Sequence, residues 1–565
     1  MPNLILNGRS VSFRPGQTIL DVARENDVPI PTLCHLKDAH PIGACRICVV
    51  EVAGSDRLLP ACDTPASVGM KILTDSATVR KTRKTILEMM LASGAHNCLL
   101  MDQPESSWSE SQLAIMQQPW HDRICPAHGD CRLQDLAIEY EVGAAGMDQK
   151  IAGHPLDDAT PMIVRDYSRC IGCGRCVTAC EEVQVNAAIP PPYARRADSP
   201  QGWYPLVDYE NCTHCGQCLQ ACPTGALFEK KAFAMVTGCE VEKIRTTCPY
   251  CGVGCQQWLH VKDNQVVKVT AVEEGAPNYG RLCVKGRFGY DFIHSSERLT
   301  HPLIREGETF RKASWDEALD LVAEKFKQIK TFHGPDALAG ISCARSINED
   351  SYNMQKLFRA TIGTNNIDHC ARTCHAPTVA GLAKAFGSGA MTNSFSEVLN
   401  AKLFFVIGSN TTACHPLIAR RIYRAKERGA KLIVADPRGI QLSGMADLAV
   451  NHRLGSDVAL LNGMMHCILR NGWEARDYID SRTEGFAELE AAVADYPPER
   501  VQAITGVAVR DIEAMADLYA NHGPSALLYA MGITQHTTGV DNVKSCCNLA
   551  LLCGYVGAAG GGVNP

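Results

Sequence analysis

The chain has little of several features that mark common functional classes. Its net charge is −6, so composition gives no electrostatic case for binding nucleic acid. No apolar run approaches the length of a bilayer crossing. The N-terminus, Met1-Pro-Asn-Leu-Ile-Leu6, lacks the basic and apolar regions of a secretory signal, and it contains no twin arginine. We therefore expect no nucleic-acid partner and no membrane span.

Cysteine, by contrast, is in excess, with 28 among 565 residues. The cysteines recur as C-x2-C pairs in a long chain, which is typical of metal ligands and not of a secreted disulfide scaffold. The length predicts several domains, and the hydrophobic fraction of 46% is enough for substantial cores. These observations predict a multidomain protein in a reducing cytoplasm. The strand and helix patterns of its segments and the families that they resemble, given below, imply a mixed α+β and α/β fold class.

The first predicted domain is residues 1–78. Residues 3–13 alternate like two short strands around the turn Asn7-Gly8, and Thr18-Ile-Leu-Asp21 resembles a capping box that opens a helix. A cysteine loop of spacing C-x10-C-x2-C-x13-C follows: Cys34, Cys45, Cys48 and Cys62. This order resembles a [2Fe–2S] ferredoxin of the β-grasp type, and the loop spacing resembles the large iron–sulfur subunit of respiratory complex I.

The second predicted domain, residues 79–150, is helical in pattern. It carries one histidine–cysteine group: His96, Cys98, Cys125 and Cys131. The complex I relative has an H-x3-C-x2-C-x5-C group followed by Leu-Gln, and the C-x5-C and Leu-Gln parts are kept here. The first half of the group differs from the family spacing, because His96 and Cys98 are only two positions apart and 26 residues separate Cys98 from Cys125. The resemblance implies a [4Fe–4S] cluster with one imidazole ligand, for which His121 and His128 are alternatives to His96.

The third predicted domain, residues 151–238, contains two copies of C-x2-C-x2-C-x3-C, the run of bacterial ferredoxins. In that family the fourth cysteine of each run binds the other cluster. The resemblance implies one [4Fe–4S] cluster on the first set: Cys170, Cys173, Cys176 and Cys222. It implies a second on the other set: Cys212, Cys215, Cys218 and Cys180.

The fourth predicted domain, residues 239–297, has a C-x2-C-x3-C loop and a later fourth cysteine. The four are Cys248, Cys251, Cys255 and Cys283. Four thiolates, three of them in one glycine-containing loop, suit a [4Fe–4S] cluster. A four-cysteine zinc site is the alternative, and the cysteine groups upstream favour iron–sulfur.

The last predicted domain, residues 298–565, alternates strands and helices. Residues 402–407 and 431–435 are typical of buried parallel strands, and residues 415–429 of the connecting helix. The loops at the strand ends should form a crevice. Their candidate binding residues are Gly408, Ser409, Asn410, Asp436, Pro437 and Arg438, with Gly455 and Asp457 in a further loop. No G-x-G-x-x-G motif opens the helix, so an NAD pyrophosphate site is not supported.

These loops, the Cys248 group and Lys285 together resemble the molybdenum or tungsten oxidoreductases that bind bis-molybdopterin guanine dinucleotide. His369-Cys-Ala-Arg-Thr-Cys374-His375 resembles the metal-ligand loop of formate dehydrogenases. The resemblance implies that Cys374 binds the metal, that His375 assists catalysis, and that Lys285 bridges cluster and pterin. Gly532 and Gln535 lie in a loop that resembles the formate dehydrogenase cofactor loop.

The resemblance therefore implies the α subunit of a soluble, NAD-linked formate dehydrogenase. It would interconvert formate and CO2, use one [2Fe–2S] and four [4Fe–4S] clusters, and pass electrons to a diaphorase-type flavin/NAD subunit. The alternatives are an assimilatory nitrate reductase and a non-catalytic electron-relay subunit like that of complex I. The choice of Mo or W, the acceptor, the oligomeric state and the physiological direction stay open at this stage. The chain stops at residue 565, where that family continues with a formate-binding arginine and a further domain, so we expect an incomplete C-terminus.

Overall fold

The computed structural model describes residues 1–37, 39–94, 96, 125–142, 156–190, 206–232 and 241–565. The chain forms two compact units. One comprises Met1–Tyr250 and Gly254–Ile293, and the other comprises Cys251–Val253 and His294–Pro565. Within the described ranges, no helix has both the length and the apolar character that a membrane crossing requires.

The first unit begins with a five-stranded sheet in the order β2-β1-β5-β3-β4. Its strands are β1 (Asn3–Leu6), β2 (Arg9–Ser12), β3 (Val49–Val52), β4 (Leu59–Pro60) and β5 (Lys71–Leu73). Strand β1 pairs with β2 antiparallel and with β5 parallel. The antiparallel pair β1 and β2 is the predicted hairpin. Asn7 and Gly8 form its two-residue turn, and both have the positive φ (49° and 81°) that such a turn requires.

Helix α1 (Ile19–Glu25) covers this sheet. Its predicted capping box is present: Thr18 Oγ1 accepts a hydrogen bond from the Asp21 N–H at 3.2 Å, and the Asp21 carboxylate accepts from the Thr18 N–H at 2.9 Å. Ile19 and Leu20 are buried in one core with Leu4 and other strand residues. The predicted strand–strand–helix order is therefore confirmed.

Two helices follow in the described chain, α2 (Ala77–Ala92) and α3 (Arg132–Glu139). The buried Arg83 of α2 ties them to the sheet. Its Nη1 donates to the Tyr140 hydroxyl at 2.8 Å, and its Nη2 donates to the Val49 carbonyl at 2.9 Å. Cys98 and His121 lie outside the described residues.

The ferredoxin-like segment has a three-stranded antiparallel sheet and a short helix in each repeat. These elements are β6 (Leu156–Asp157), β7 (Ile163–Asp166), α4 (Arg175–Thr178), α5 (Gln217–Ala221) and β8 (Leu227–Glu229). Both helices begin after a glycine in the left-handed region, Gly174 (φ 74°) and Gly216 (φ 70°). The sequence repeat is thus also a repeat in backbone geometry.

A second antiparallel sheet, in the order β11-β10-β9, completes the first unit. Its strands are β9 (Glu242–Thr247), β10 (Gln256–Lys262) and β11 (Gln265–Ala271), and helix α6 (Val284–Phe288) follows. Cys248 comes directly after β9, Cys255 directly before β10, and Cys283 directly before α6. The element ends therefore carry three of the four predicted ligands of this domain.

The second unit opens with a hairpin and a small parallel pair of strands. In chain order the elements are β12 (Leu303–Glu306), β13 (Thr309–Lys312), α7 (Trp315–His333), β14 (Gly340–Ser342), α8 (Asn348–Lys356), β15 (Ile367–His369) and α9 (Ala376–Phe386). A 3-10 helix, Cys370–Thr373, lies between β15 and α9. The predicted metal-ligand loop is thus the short connection between a strand and a helix.

A parallel five-stranded sheet in the order β18-β17-β16-β19-β20 forms the centre of the second unit. Its strands are β16 (Leu403–Ile407), β17 (Lys431–Ala435), β18 (Leu448–Val450), β19 (Ser525–Tyr529) and β20 (Gly562–Asn564). Every residue of β16 is buried, as expected for a parallel strand covered on both faces.

The remaining helices surround this sheet. They are α10 (Thr411–Cys414), α11 (Pro416–Glu427), α12 (Asp457–Asn471), α13 (Arg476–Arg482), α14 (Phe486–Ala494), α15 (Pro498–Thr505), α16 (Val509–Asn521), α17 (Met531–Thr534) and α18 (Gly539–Leu552). Leu403 pairs with Lys431 in parallel register, and α11 connects the two strands. The predicted βαβ unit is confirmed, and with it the mixed α+β and α/β class.

Candidate metal and cofactor sites

The first cysteine group is assembled by the β-grasp-like sheet and the loop before β3. The four thiols, Cys34, Cys45, Cys48 and Cys62, are all buried. Hydrogen bonds from Cys45 and Cys62 hold the pKa of Cys34 well below its usual range, and one from Cys62 lowers the pKa of Cys48 to about 7. Each of the four thiols therefore has at least one other thiol of the group as a hydrogen-bond partner. Four cysteine sulfurs that lie close together are a suitable set of ligands for an iron–sulfur cluster.

The His96 group is only partly described. Burial, with a smaller contribution from the nearby Arg169, lowers the pKa of His96 to about 4. Burial also raises the pKa of Cys125, and Arg169 opposes this increase. Arg169 is therefore near both His96 and Cys125. Cys131 Sγ lies 3.5 Å from the Pro223 carbonyl. His128 is half-buried beside Cys125, so the structure brings both His96 and His128 towards the group.

The structure brings the fourth cysteine of the second ferredoxin run close to the first three cysteines of the first run. Burial raises the pKa of Cys170 to about 11 and that of Cys173 to about 12. The nearby Cys222 contributes to both increases. A cavity of about 220 Å³ is lined by all four thiols of this set, Cys170, Cys173, Cys176 and Cys222, and by apolar side chains such as Ile171 and Val177. A cavity of thiols and apolar groups suits a [4Fe–4S] cluster.

The second ferredoxin set is assembled in the same way. Burial raises the pKa of Cys180 to about 12, and the neighbouring Cys215 and Cys218 contribute to the rise. The buried Arg165 donates from Nη2 to Cys218 Sγ at 3.7 Å. This arginine was not predicted, because nothing in its sequence position marks a residue of β7 as facing a cysteine of the second run.

The fourth group lies at the ends of β9, β10 and α6. The Cys248 N–H donates to the Cys255 carbonyl at 2.8 Å. Burial raises the pKa of Tyr250, and both Cys248 and Cys283 add to the rise, so Cys283 lies near Cys248. A Cβ on Gly286 would lie 3.4 Å from Cys248 Sγ, which explains a glycine in α6 at this point.

Lys285 lies in α6, one residue before Gly286, and is half-buried. Cys251 is also half-buried. In the described part of the chain, no group of three or more His, Cys, Asp or Glu side chains is arranged to hold a single metal ion.

The predicted metal-ligand loop of the second unit places Cys374 at the end of the 3-10 helix. Cys374 is half-buried, and burial with the neighbouring Cys370 raises its thiol pKa while Arg345 opposes the rise. Cys370 Sγ accepts a hydrogen bond from the Ala344 N–H at 3.1 Å. The cysteine that resembles the family ligand thus has a second thiol close by.

His375 begins helix α9. Burial lowers its pKa, and its Nδ1 lies 3.0 Å from Thr378 Oγ1. The Tyr529 hydroxyl donates to the same Thr378 oxygen at 3.0 Å. Thr378 and Tyr529 therefore fix the histidine ring. Thr378 could have been found from sequence, since residues three apart on a helix are neighbours, whereas Tyr529 is distant along the chain.

The loop after β16 touches the loop after β19 through two glycines. Gly408 has φ 58°, and a Cβ there would lie 2.9 Å from the Gly532 carbonyl carbon. The Gly532 N–H donates to the Gly408 carbonyl at 3.1 Å. Gln535, in the same second loop, donates from Nε2 to the Thr373 carbonyl at 2.7 Å. Three predicted binding loops therefore meet at this point.

The loops after β16 and β17 share a polar cavity of about 290 Å³. Asn410 and Arg438 both line it. The buried Asp436 carboxylate does not point freely into the crevice, because it accepts a hydrogen bond from the Arg438 N–H at 2.9 Å. Ser409 Oγ is 3.0 Å from Thr411 Oγ1, and both residues are buried. Pro437 connects the two polar residues of the β17 loop.

Asp457, a predicted binding residue, has a buried histidine as its partner. It is buried at the start of α12, and its Oδ1 lies 2.9 Å from His452 Nε2. Gly455, with φ 75°, forms the turn before it. The carboxylate is thus engaged with a buried histidine that sequence reasoning did not single out.

The fold is that of iron–sulfur domains followed by a molybdopterin oxidoreductase domain, in agreement with four family matches. Residues 298–565 match the molybdopterin oxidoreductase family, and residues 241–295 match its Fe4S4 domain. Residues 3–77 match the 2Fe-2S iron-sulfur cluster binding domain, and residues 169–226 the 4Fe-4S dicluster domain. The chain therefore belongs to the molybdopterin oxidoreductase family over residues 241–295 and 298–565, and it also carries 2Fe-2S and 4Fe-4S domains.

Two curated relatives are informative. The F420-dependent formate dehydrogenase 2 subunit alpha of Methanococcus maripaludis is 46% identical over 326 residues, which are 58% of this chain and 48% of the relative. The NADPH-Fe(3+) oxidoreductase subunit alpha of Geobacter sulfurreducens is 32% identical over an alignment of 571 positions, which covers 100% of this chain and 63% of the relative. The chain thus spans about half of the length of the first relative.

Among solved structures, the acetylene hydratase of Pelobacter acetylenicus is similar, with a TM-score of 0.50 and 26% identity. The similarity covers 56% of this chain and 44% of that one. This similarity agrees with the fold described above for slightly more than half of the chain.

Proposed function

We propose that this chain is the catalytic part of a formate dehydrogenase, which interconverts formate and CO2 and passes electrons to a partner. The 46% identity with a relative named formate dehydrogenase supports formate as the substrate. The observation that carries the proposal is the hydrogen bond from Gln535 to the carbonyl of Thr373. It joins the two loops that resemble formate dehydrogenases, directly beside Cys374.

The cofactor that we propose is the bis-molybdopterin guanine dinucleotide form of Mo or W. The polar cavity at the ends of β16 and β17 supports a site for a polar nucleotide, and the Gly408–Gly532 contact keeps the neighbouring loops close. When bound, this group supplies a soft metal that accepts two electrons or a hydride. Cys374 would be its protein thiolate, and the half-buried position of that side chain supports the role.

His375 is proposed to take the proton that formate loses. The Thr378 oxygen has lone pairs enough to accept from both Tyr529 and the His375 Nδ1–H. With its proton on Nδ1, the ring has Nε2 free of hydrogen and able to take up a proton. Burial favours the neutral ring, which is the form that a base needs.

Residues 34–283 are proposed to carry electrons through one [2Fe–2S] and four [4Fe–4S] clusters on the predicted cysteine sets and His96. The crossed placement of Cys222 and Cys180 supports the ferredoxin-type ligand sets. Lys285 would supply a cation that stabilises electrons near the Cys283 group. For the partner we propose a diaphorase-type flavin/NAD subunit in the cytoplasm. The names of two relatives contain different redox partners, F420 in one and NADPH with Fe(3+) in the other, so the electron acceptor of this chain has to be measured directly.

The first prediction tests the active site in the complete subunit, prepared without oxygen. Cys374→Ala should abolish formate oxidation with an artificial dye while the iron content stays unchanged, because only the protein thiolate on Mo or W is lost. His375→Ala should reduce kcat about a hundredfold or more, the scale of losing a general base. Cys370→Ala is the matched control in the same 3-10 turn, and its effect should be mild.

Four outcomes decide between functions. Loss of activity in Cys374→Ala, with bound Mo or W in the wild type, supports formate oxidation at this site. Full formate activity in Cys374→Ala would refute the mechanism. A wild type with a full complement of iron, no Mo or W and no formate activity would favour an electron-relay subunit, whereas nitrate reduction would favour the nitrate reductase alternative.

A further inference from the structure

Arg287 of helix α6 is a buried cation between two of the predicted cluster sites. It is 1% exposed. It follows Cys283 by four residues, which places it one helical turn beyond that ligand. Its Nε donates to the Cys215 carbonyl at 2.8 Å. One side chain therefore joins the Cys283 segment to the backbone of a ligand of the second ferredoxin set.

The guanidinium is held by neutral partners. Nη1 donates to Gln220 Oε1 at 2.9 Å, and Nη2 lies 3.5 Å from Gln217 Oε1. A Cβ on Gly216 would lie 2.3 Å from Arg287 Cδ, so the glycine between the ligands lets the arginine stem pass directly against the cysteine loop. This close packing fixes the position of the charge.

The same interface contains amides that bond without adding charge. Gln184 Nε2 donates to the Leu282 carbonyl at 3.1 Å, and Gln217 Nε2 donates to the Gly280 carbonyl at 3.1 Å. Glutamine bonds thus suffice to hold the segments together. The buried arginine, whose burial costs free energy, needs a further reason.

Charge supplies that reason, because Arg287 interacts electrostatically with Cys215, Cys218 and Cys283. These thiols belong to two different predicted clusters. The Glu229 carboxyl group also lies near Arg287 and accepts a hydrogen bond from the Tyr290 hydroxyl. Reducing a cluster adds a negative charge, which a nearby buried cation stabilises.

We propose that Arg287 is a positioning residue that raises the reduction potentials of two adjacent clusters, those on the Cys212/Cys215/Cys218/Cys180 set and on the Cys248/Cys251/Cys255/Cys283 set. The inference rests on the ligand sets of the proposed function. One shared guanidinium would make both of these clusters easier to reduce than they would be without it. The [2Fe–2S] site, built from residues of another sheet, serves as an internal reference.

The test is a redox titration of the complete, cluster-loaded subunit followed by EPR spectroscopy. Arg287→Gln keeps hydrogen-bonding capacity but removes the charge. It should shift the reduction equilibrium of both clusters about tenfold towards the oxidised form, which corresponds to 59 mV for one electron. Arg287→Lys, which keeps the charge, should restore most of the potential. The [2Fe–2S] potential should not change in either variant.

Gln184→Met is the matched control, since it removes a buried bond of the same interface without changing charge. It should leave both potentials unchanged. If Arg287→Gln fails to assemble its clusters, Gln220→Glu gives the second route, because a carboxylate on Nη1 would cancel part of the cation's field. That variant should lower both potentials.

Unchanged potentials in a fully loaded Arg287→Gln, or in Gln220→Glu where that route is needed, would overturn the inference. So would a Gln184→Met variant that shifts the potentials as far as Arg287→Gln, because the effect would then come from interface geometry. Failure of the proposed function is separately visible, since wild-type protein would then lack the corresponding iron and EPR signals before any arginine is changed.

Discussion

At the scale of single residues, burial decides what the polar side chains of this protein can do. Glu229 at the end of β8 is 2% exposed, and its Oε1 accepts a hydrogen bond from the Tyr290 hydroxyl at 2.6 Å. Burial raises the pKa of Glu229 to about 7, although Tyr290, Arg287, Lys268 and Lys231 all act in the opposite direction. Desolvation therefore outweighs the surrounding bond and cations at this carboxyl group.

This gives the second prediction, a pH dependence of stability. The pKa in the folded chain exceeds the ordinary value of 4.5, so the unfolded chain loses its proton first. The stability contributed by neutral Glu229 is complete at low pH and falls as pH rises from about 4.5 to about 7, by on the order of 3 kcal/mol. Glu229→Gln should remove this fall. Apparent melting temperatures of cluster-loaded protein at about pH 5 and about pH 8 measure it.

The exposed Glu242→Gln serves as the control, and it should follow the wild-type pH dependence. The expected result is a Glu229→Gln variant that melts higher than the wild type at the alkaline pH and not at the acid one. A variant that keeps the wild-type slope would mean that Glu229 is charged in the folded protein throughout this range.

At the scale of elements, the candidate binding loops depend on contacts between chain segments that are far apart in sequence. The ends of β16 and β19 lie side by side because both strands belong to one parallel sheet. Parallel strands direct their carboxyl ends to one edge, which is where ligands of open α/β sheets bind. The glycine pair Gly408 and Gly532 turns this proximity into direct backbone contact.

The third prediction concerns that contact. Gly408→Ala would place a Cβ 2.9 Å from the Gly532 carbonyl carbon at a φ of 58°, which should destabilise the local structure by roughly 2 kcal/mol. The loops should separate, and bound Mo or W should fall. Metal analysis and the apparent melting temperature measure both effects.

Gly444→Ala is the matched control, since a Cβ there meets no atom within 4 Å. It should retain the cofactor. Equal metal content in the two variants would show that the β16 loop tolerates a side chain, and that the Gly408–Gly532 contact does not hold the cofactor site together.

At the scale of the whole molecule, the chain combines a unit rich in cysteine sites with a unit that contains the parallel sheet. The family matches divide in the same order, with the 2Fe-2S and 4Fe-4S domains first and the molybdopterin oxidoreductase domain last. Such an order suits an enzyme whose electrons must leave one site and travel through fixed centres.

The fourth prediction is the iron content. One [2Fe–2S] and four [4Fe–4S] clusters amount to about 18 iron atoms per chain. Iron and labile sulfide in protein prepared without oxygen should approach this value. His96→Ala should alter the EPR signal of a single cluster and leave dye-linked formate oxidation largely intact.

A wild-type value of about 14 iron atoms would remove the His96 cluster from the set. His121→Ala and His128→Ala are the comparison variants. If one of them changes the signal while His96→Ala does not, that histidine is the imidazole ligand.

Sequence alone determined the cysteine groups, the hairpin at Asn7-Gly8, the capping box at Thr18 and the buried strands β16 and β17. Each of these depends on residues a few positions apart, so local geometry and ligand spacing are written directly in the chain. The same reasoning identified the loops that now lie at one edge of the central sheet. It could not state how their side chains are engaged.

Only the tertiary structure decided the partners of those side chains. Asp457 is bonded to His452, His375 is held by Thr378 and Tyr529, and Arg287 reaches the Cys215 carbonyl. Burial is the physical reason, because a polar group removed from water must take whichever donor or acceptor the fold brings to it. Tyr529 lies 151 residues after Thr378, and Arg287 lies 72 residues after Cys215. At such separations the partner is chosen by packing of the whole chain, which no local pattern of residues specifies.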